Sequence, residues 1–173
     1  MAKDKEPAER GIKFKVRPSI VSNVVISPEK HGKEFVEKHD VIFEQLLEKA
    51  EVGQFFEPID GVDAIEFFWT DEGLLRYAEL GHLPIDLKAL GIVKLGYVKG
   101  SAIEFTGTLK KLSIEIKDDY RATLYGQVRV DPGNHHKMLA QLKVEHACKL
   151  GFDGAVDEKH EPGDDDSQAE LPV

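Results

Sequence analysis

One stretch of this chain, from Leu109 to Val156, carries strand, turn and helix signals in unbroken succession, and it limits the folds open to the rest. Its first part alternates apolar with polar residues in two runs, Leu112–Ile116 and Ala122–Val130. Alternation with a period of two is typical of half-buried β-strands. The turn Lys117–Asp119 separates the two runs, so the sequence predicts a β-hairpin here.

The second part of this stretch predicts a helix followed by a buried strand. Pro132 and Gly133 end the second hairpin strand. Asn134 can cap a helix, which Gly151 would end in a left-handed conformation. The apolar run Phe152–Val156 then predicts a strand. We expect the core of this part to consist of Leu124, Val128, Val130, Leu139, Leu142 and Leu150.

The segment upstream predicts a strand and then a helical region. Residues 12–26 alternate as an edge strand would, with a break at Pro18. The tripeptide Ser27-Pro28-Glu29 supplies a capping hydroxyl, a proline at the first helical position and an acid in the first turn. Apolar residues then recur at spacings of three and four as far as Gly53, which predicts one long helix or two short ones.

The middle of the chain is predicted to alternate short strands with a short helix. Residues 64–69 form an apolar and aromatic run that favours a strand, and its aromatic side chains are interpreted as core residues rather than as a pocket lining. Asp71 can cap a short helix that would extend to Leu80. Further strands are expected at residues 92–98 and 103–105.

Composition divides the chain into three parts. A hydrophobic content of 41% in 173 residues is sufficient for the core of one domain, which we expect at residues 12–157. Residues 1–11 are charged and are predicted to be a flexible N-terminus. Residues 158–173 are predicted to be an acidic, disordered tail.

Charge and cysteine usage narrow the classes of partner. The net charge is −9, and most of it comes from the segment Asp157 to Val173, which has seven acidic residues and one lysine. This balance argues against nucleic-acid binding, because phosphate affinity requires clustered lysine and arginine. No apolar run is long enough to span a bilayer, so we expect no membrane contact and a cytoplasmic location. The single Cys148 is interpreted as a packed small hydrophobe in a predicted helix.

The common signatures of enzyme chemistry are missing from the sequence. There is no phosphate loop, dinucleotide glycine fingerprint, HExxH, CxxC or Gly-x-Ser-x-Gly motif. His31 and His39 share one segment, but no further His or Cys stands near them at ligand spacing, so we predict no metal site.

Two pairs of residues remain as functional candidates. His135 and His136 lie at the predicted start of a helix, where backbone N–H groups favour an anion that the imidazoles could assist. Glu115 and Tyr125 lie on neighbouring hairpin strands and could supply a catalytic base and a hydroxyl. The alternative for both pairs is that they are ordinary surface residues.

The run from Tyr125 to Val156 resembles the cofactor-binding half of the Gcn5-related N-acetyltransferase superfamily. In that family antiparallel strands lead through a bulge and a phosphate-cradling turn into a helix and a further strand. The corresponding parts here are LYGQVRV, DPGNHH, KMLAQLKVEHACKLG and FDGAV. The resemblance implies an α+β fold whose mainly antiparallel central sheet is flanked by helices.

The resemblance also implies a function, the transfer of an acyl group from acetyl-CoA to an amine. Strand backbone would hold the pantetheine arm, and backbone amides of the turn would meet the pyrophosphate. The alternative is a non-enzymatic binding or regulatory protein that uses the same scaffold and an acidic tail, with an unknown protein partner. The cofactor-binding residues implied by the resemblance are Val128, Val130, Gly133, Asn134, His135 and His136.

Overall fold

A computed structural model describes residues 10–77 and 81–157 of the chain. These residues form seven β-strands and two short α-helices. The fold is therefore mainly β, and the predicted α+β fold with a sheet flanked by helices is wrong. Within the described ranges, no helix combines the length and apolar character that crossing a bilayer requires. The predicted N-terminal segment, except for its last two residues, and the predicted acidic tail lie outside the described residues.

The strands are long and the helices are short. The strands are β1 (Gly11–His31), β2 (Glu34–Leu47), β3 (His82–Ile85), β4 (Ala89–Gly96), β5 (Ile103–Lys117), β6 (Arg121–Val130) and β7 (Ala147–Val156). The helices are α1 (Lys49–Val52) and α2 (His136–Glu145), and 3₁₀ turns lie at Gly53–Phe55 and Ala64–Phe67.

Six of the strands close into a continuous antiparallel sheet. The order around it is β4, β7, β1, β2, β6 and β5, and β5 pairs again with β4. The short β3 pairs with the last part of β5. Closure gives each of the six strands a partner on both sides, which removes the exposed edges of an open sheet. The first strand was predicted to be an edge strand, but β1 is paired with both β2 and β7.

The interior of the closed sheet is filled with apolar side chains. Successive residues of a strand point to opposite faces, so every second residue is directed inward. Along β6, for example, Ala122, Leu124, Val128 and Val130 are buried. The predicted core residues are all confirmed, each with no measurable solvent exposure: Leu124, Val128, Val130, Leu139, Leu142 and Leu150.

Helix α2 covers one end of the closed sheet. It packs against β1 and β7 and buries Met138, Leu139 and Leu142. The helix ends at His146, which adopts a left-handed conformation with φ of 55° and accepts a hydrogen bond from the backbone N–H of Val21. The predicted helix end at Gly151 is thus too late in the chain, and Cys148 lies buried in β7 rather than in a helix.

The segment between β2 and β3 covers the opposite end. It buries several large apolar side chains, and the indole N–H of Trp69 donates a hydrogen bond to the carbonyl of Lys117 at the end of β5. Residues 64–69 were predicted to be a strand, but Ala64–Phe67 is a 3₁₀ turn capped by the Asp63 carboxylate. The helix predicted from Asp71 is not formed at residues 71–77, and residues 78–80 lie outside the described ranges.

The largest error of the sequence interpretation is the helix predicted from Ser27 to Gly53. Nearly all of this segment belongs to the hairpin formed by β1 and β2, and only α1, with four residues, is α-helical. The inward face of β2 includes Gln45 among apolar residues, and its amide donates to Ser19 Oγ and to the carbonyl of Leu150. A polar residue on the buried face hides the period of two, because the pattern depends on apolar residues alone.

Glu51 in α1 is the basis of a pH-dependence prediction. Burial disfavours its charge, but hydrogen bonds from Arg17 and from the backbone N–H groups of Glu48 and Lys15 outweigh burial and hold its pKa below the ordinary 4.5. A carboxyl with a depressed pKa stabilises the fold above its unfolded-state pKa, and this stabilisation disappears as the pH falls through the folded-state pKa.

We therefore expect Glu51→Gln to lower the free energy of unfolding at pH 7 by about 1.5–3 kcal/mol. Denaturant unfolding between pH 7 and pH 3 should show this difference shrinking below pH 4.5. Asp153→Asn is the matched control, because Asp153 forms an exposed ion pair with Lys13. It should change the free energy of unfolding by less than about 0.5 kcal/mol. A difference that stays constant with pH would contradict this role for Glu51.

Candidate functional site

The turn from Asp131 to His136 was predicted to cradle a pyrophosphate, but it forms hydrogen bonds within itself. Gly133 has a φ of +51°, and its N–H donates to Asp131 Oδ1 at 3.1 Å. The N–H of His135 donates to the carbonyl of Pro132 at 2.8 Å. Two of the backbone donors expected to meet a phosphate are therefore engaged inside the turn, where Asn134 is exposed.

Val128 and Val130 were expected to offer strand backbone to a pantetheine arm. Both residues are fully buried, and β6 is paired with β2 on one side and with β5 on the other. Val128 lies opposite Val41 and Leu109 in these two pairings. A strand that is paired on both sides has its ladder hydrogen bonds already in use.

Glu115 and Tyr125 are brought together by a third residue, His82 of β3. The His82 Nε2 atom lies 3.1 Å from Glu115 Oε2, and the His82 ring centroid lies 5.2 Å from that of Tyr125. The Nζ atom of Lys117 lies 3.0 Å from the other carboxylate oxygen of Glu115. These contacts form a polar cluster on the outer face of the closed sheet.

The neighbours of Glu115 and Tyr125 favour an ionised carboxylate and a protonated phenol. The hydrogen bond from Lys117 lowers the pKa of Glu115, burial opposes it slightly, and the charges of Lys117 and His82 lower it further. Burial raises the pKa of Tyr125, and the carboxylates of Glu115 and Glu44 act in the same direction. At neutral pH Glu115 is ionised and Tyr125 is protonated.

A cleft of about 390 Å³ lies beside the outer face of β5 and β6. Two of its charged residues have ion-pair partners: Lys38 Nζ lies 3.6 Å from Asp131, and Arg129 forms two hydrogen bonds with the buried Asp40 carboxylate. These two cations are therefore already engaged within the protein.

His136 points away from the predicted phosphate turn and toward a histidine of β2. The ring centroids of His136 and His39 are 5.3 Å apart, with an angle of 67° between the ring planes. The adjacent His135 lies instead against Phe105, with ring centroids 5.5 Å apart. The two neighbouring histidines thus have different ring partners: His136 lies against another titratable side chain, and His135 lies against a phenylalanine.

His39 is the most unusual polar residue in the described part of the chain. Its exposed fraction is 2%, and neither ring nitrogen has a hydrogen-bond partner among residues 10–77 and 81–157. Burial lowers its pKa, the neighbouring His136 adds to this effect, and the carboxylates of Glu37 and Asp40 oppose it. The ring is therefore neutral at pH 7 and carries one lone pair.

Glu37 completes the group, which we call the His39 site and define as Glu37, His39 and His136. Glu37 precedes His39 by two positions on β2, so its side chain is on the same face of the strand. One donor atom from each residue lies within 4.8 Å of the other two. Glu37 and His136 are exposed, and His39 is buried behind them.

This arrangement was missed in the sequence, because His136 is far from Glu37 and His39 in the chain. His39 was interpreted as part of a helix, whereas β2 carries it toward the end of the closed sheet that α2 covers. Its alternation with Val41 and Phe43 would have indicated an inward-facing histidine, had the segment been recognised as a strand.

Comparison with models of known protein families, with curated proteins and with solved structures finds no match to this chain. The function proposed below is therefore derived from the geometry of the described residues.

Proposed function

We propose that this chain is a non-enzymatic binding protein whose ligand occupies the His39 site, at the end of the closed sheet beneath α2. The observation that carries the proposal is the burial of His39 with two unpartnered ring nitrogens. A buried polar group without a partner costs about 1–3 kcal/mol of stability. A bound ion that supplies the missing partner is one of the recognised reasons for such a group in a native structure.

The geometry favours this proposal over an acyl-CoA-dependent enzyme. Pyrophosphate binding would need turn amides that point outward, but those of Gly133 and His135 are used within the turn. The strand backbone near Val128 is paired on both sides. Glu115 lies in an outer-face ion-pair group and its low pKa makes it a poor general base.

The acyl-CoA hypothesis stays a prediction that one titration tests. A ligand that binds only the native state raises its melting temperature, so acetyl-CoA at millimolar concentration should leave the melting temperature of the wild-type protein unchanged. A rise that Gly133→Val abolishes would favour the acyltransferase instead. Gly133→Val should disturb the turn, because a β-branched residue is strained at the φ of +51°.

We also propose a reducing compartment such as the cytoplasm, because the single cysteine of the sequence cannot form an internal disulfide. Cys148 is fully buried, and burial raises its pKa to about 12. A thiol in this state is neither a nucleophile nor a ready partner for oxidation.

The proposal predicts that His39 lowers the stability of the ligand-free protein. Replacing His39 by phenylalanine or leucine removes two unpartnered nitrogens and keeps an apolar side chain in the space. We expect the free energy of unfolding of the ligand-free protein to rise by about 1–2 kcal/mol, or the melting temperature by about 2–4 °C for each kcal/mol. Thermal unfolding of protein treated with a chelator measures this effect.

Both variants are needed, because phenylalanine is larger than histidine and leucine has a different shape. Either one alone could lose stability through poor packing. At least one of them should be more stable than the wild type. His31→Phe is the control, since His31 is exposed at the end of β1 and should change stability by less than about 0.5 kcal/mol. If both His39 variants lose more than about 1 kcal/mol, His39 has a structural role and the proposed site is refuted.

A further inference from the structure

The chemistry of the His39 site narrows the class of ligand. It offers two imidazoles and one carboxylate, and each can present a lone pair to the same point. Imidazole is a preferred ligand of zinc, copper, nickel and iron, whereas calcium and magnesium prefer sets of oxygen ligands. The donor set therefore fits a transition-metal ion better than an anion, a sugar or an alkaline-earth ion.

The ring geometry of the two histidines also fits a shared ion. With metal–nitrogen bonds of about 2.0–2.1 Å and a tetrahedral angle between them, two imidazole rings on one ion have their centroids about 5 Å apart. The rings of His39 and His136 have a centroid separation of 5.3 Å. These two residues are thus near the separation that coordination requires.

The three donor atoms lie near the spacing that a shared ion requires. In a tetrahedral site the ligand atoms lie about 3.3 Å apart, and here they are within 4.8 Å of one another. The two outer ligands, Glu37 and His136, are exposed. His39 is buried and supplies the fixed position around which the other two would adjust.

We propose that Glu37, His39 and His136 bind a divalent first-row transition-metal ion such as Zn²⁺. This inference rests on the proposed function, since it names the ligand of the same site. It departs from the prediction of no metal site, which considered only histidines that are close in the sequence. The ion replaces the missing partner of one His39 ring nitrogen.

The ligand count indicates how the ion is held. Structural zinc sites are closed by four protein ligands, whereas three protein ligands leave a position for water or another small ligand. The His39 site has three such ligands among the described residues, two of them exposed. The bound ion is therefore exchangeable and reachable from solvent.

The experiment is a calorimetric titration of tag-free, chelator-treated full-length protein with Zn²⁺, repeated with Co²⁺ and with Mg²⁺. We expect one equivalent of Zn²⁺ to bind with a Kd in the micromolar range or tighter, and Co²⁺ to give a visible absorption band from the same site. Mg²⁺ should bind at least 100-fold more weakly. His136→Ala and Glu37→Gln should each weaken Zn²⁺ binding at least tenfold.

Matched controls separate this site from adventitious binding at surface histidines. His31→Ala removes an exposed histidine of the same hairpin, and Glu34→Gln removes an exposed carboxylate at the start of β2. Neither should change the Kd more than twofold. Zn²⁺ binding that is unaffected by His136→Ala and Glu37→Gln would overturn the inference, as would no binding of Zn²⁺ or Co²⁺ at millimolar concentration.

The two proposals can fail separately. If the His39 variants are more stable than the ligand-free wild type but no metal ion binds, the site takes another ligand and only the metal inference is lost. If the His39 variants are less stable than the ligand-free wild type, and substitution of the three site residues does not change the Kd for Zn²⁺, both proposals are lost.

Discussion

Replacing Arg129 by methionine is expected to lower the free energy of unfolding by about 3–5 kcal/mol. Arg129 and Asp40 lie directly opposite each other on β6 and β2, and both are buried. The guanidinium donates from Nε at 2.8 Å and from Nη2 at 2.9 Å to the two carboxylate oxygens, and Ser27 Oγ donates to one of them. Without Arg129, the Asp40 carboxylate stays buried and loses its strongest partner.

The loss of stability in Arg129→Met should come from the unpaired charge of Asp40 rather than from the loss of packing. Burial disfavours the charge of Asp40, but the hydrogen bond from Arg129, the positive charges of Lys110 and Arg129 and the Ser27 hydroxyl hold its pKa below the ordinary value. Replacing both partners by apolar residues, as Asp40→Leu with Arg129→Met, should therefore recover much of the lost stability.

Denaturant unfolding of the two single variants and the double variant measures this coupling. Arg121→Met is the matched control on the same strand, because Arg121 is exposed and donates a hydrogen bond to the nearby carbonyl of Asp118. It should change stability by less than about 0.5 kcal/mol. A loss of less than about 1 kcal/mol for Arg129→Met would mean that the pair is solvated in solution.

The second large effect is expected for Leu142→Ala, which should lower the free energy of unfolding by about 2–5 kcal/mol. Leu142 has no solvent exposure and lies on the face of α2 that closes one end of the sheet. Truncation removes buried methyl groups and leaves a cavity between the helix and the sheet, which the short helix can only partly collapse.

Val144→Ala provides the control in the same helix. Val144 has an exposed fraction of 68%, so its truncation removes little buried surface. Alanine also has the higher helix propensity, and the change should be within about 0.5 kcal/mol of neutral. If Leu142→Ala were as mild as Val144→Ala in thermal unfolding, α2 would not be packed on the sheet in solution.

The sequence predicted the hairpin of β5 and β6 well because its signals are local. Apolar residues such as Leu112 and Ile114 alternate along β5, Ala122 and Leu124 do so along β6, and the turn residues lie between them. Two of the three buried residues of α2, Leu139 and Leu142, were also identified, because they follow a helical spacing, whereas Met138 was not. The start of β4 and the extent of β5 were predicted only in part.

The hairpin of β1 and β2 could not be recognised for a physical reason. Ser27, Pro28 and Glu29 match a helix start, yet Ser27 caps no helix and instead donates to the buried Asp40 carboxylate. Leu46 is 65% exposed on the outer face of β2, where it contributes an apolar residue at helical spacing. Pairing with strands distant in the sequence decides this segment against its local pattern.

Closure of the sheet and the His39 site were equally beyond a local analysis. Both depend on contacts between residues far apart in the chain, such as β2 with β6 and His39 with His136. The resemblance to an acetyltransferase followed the order of local elements from Tyr125 to Val156. That order is retained here as β6, α2 and β7, but β7 pairs with β1 and β4 rather than with β6.

The central claim is that the buried His39 binds a metal ion. One set of unfolding curves tests this claim most directly. Wild-type protein, His39→Phe and His39→Leu are compared, each chelator-treated and each with Zn²⁺ added. We predict that at least one of the two variants is more stable than the wild type without Zn²⁺, and that Zn²⁺ raises the melting temperature of the wild type alone. Loss of stability in both variants without Zn²⁺, or equal stabilisation of wild type and variants by Zn²⁺, would contradict the account.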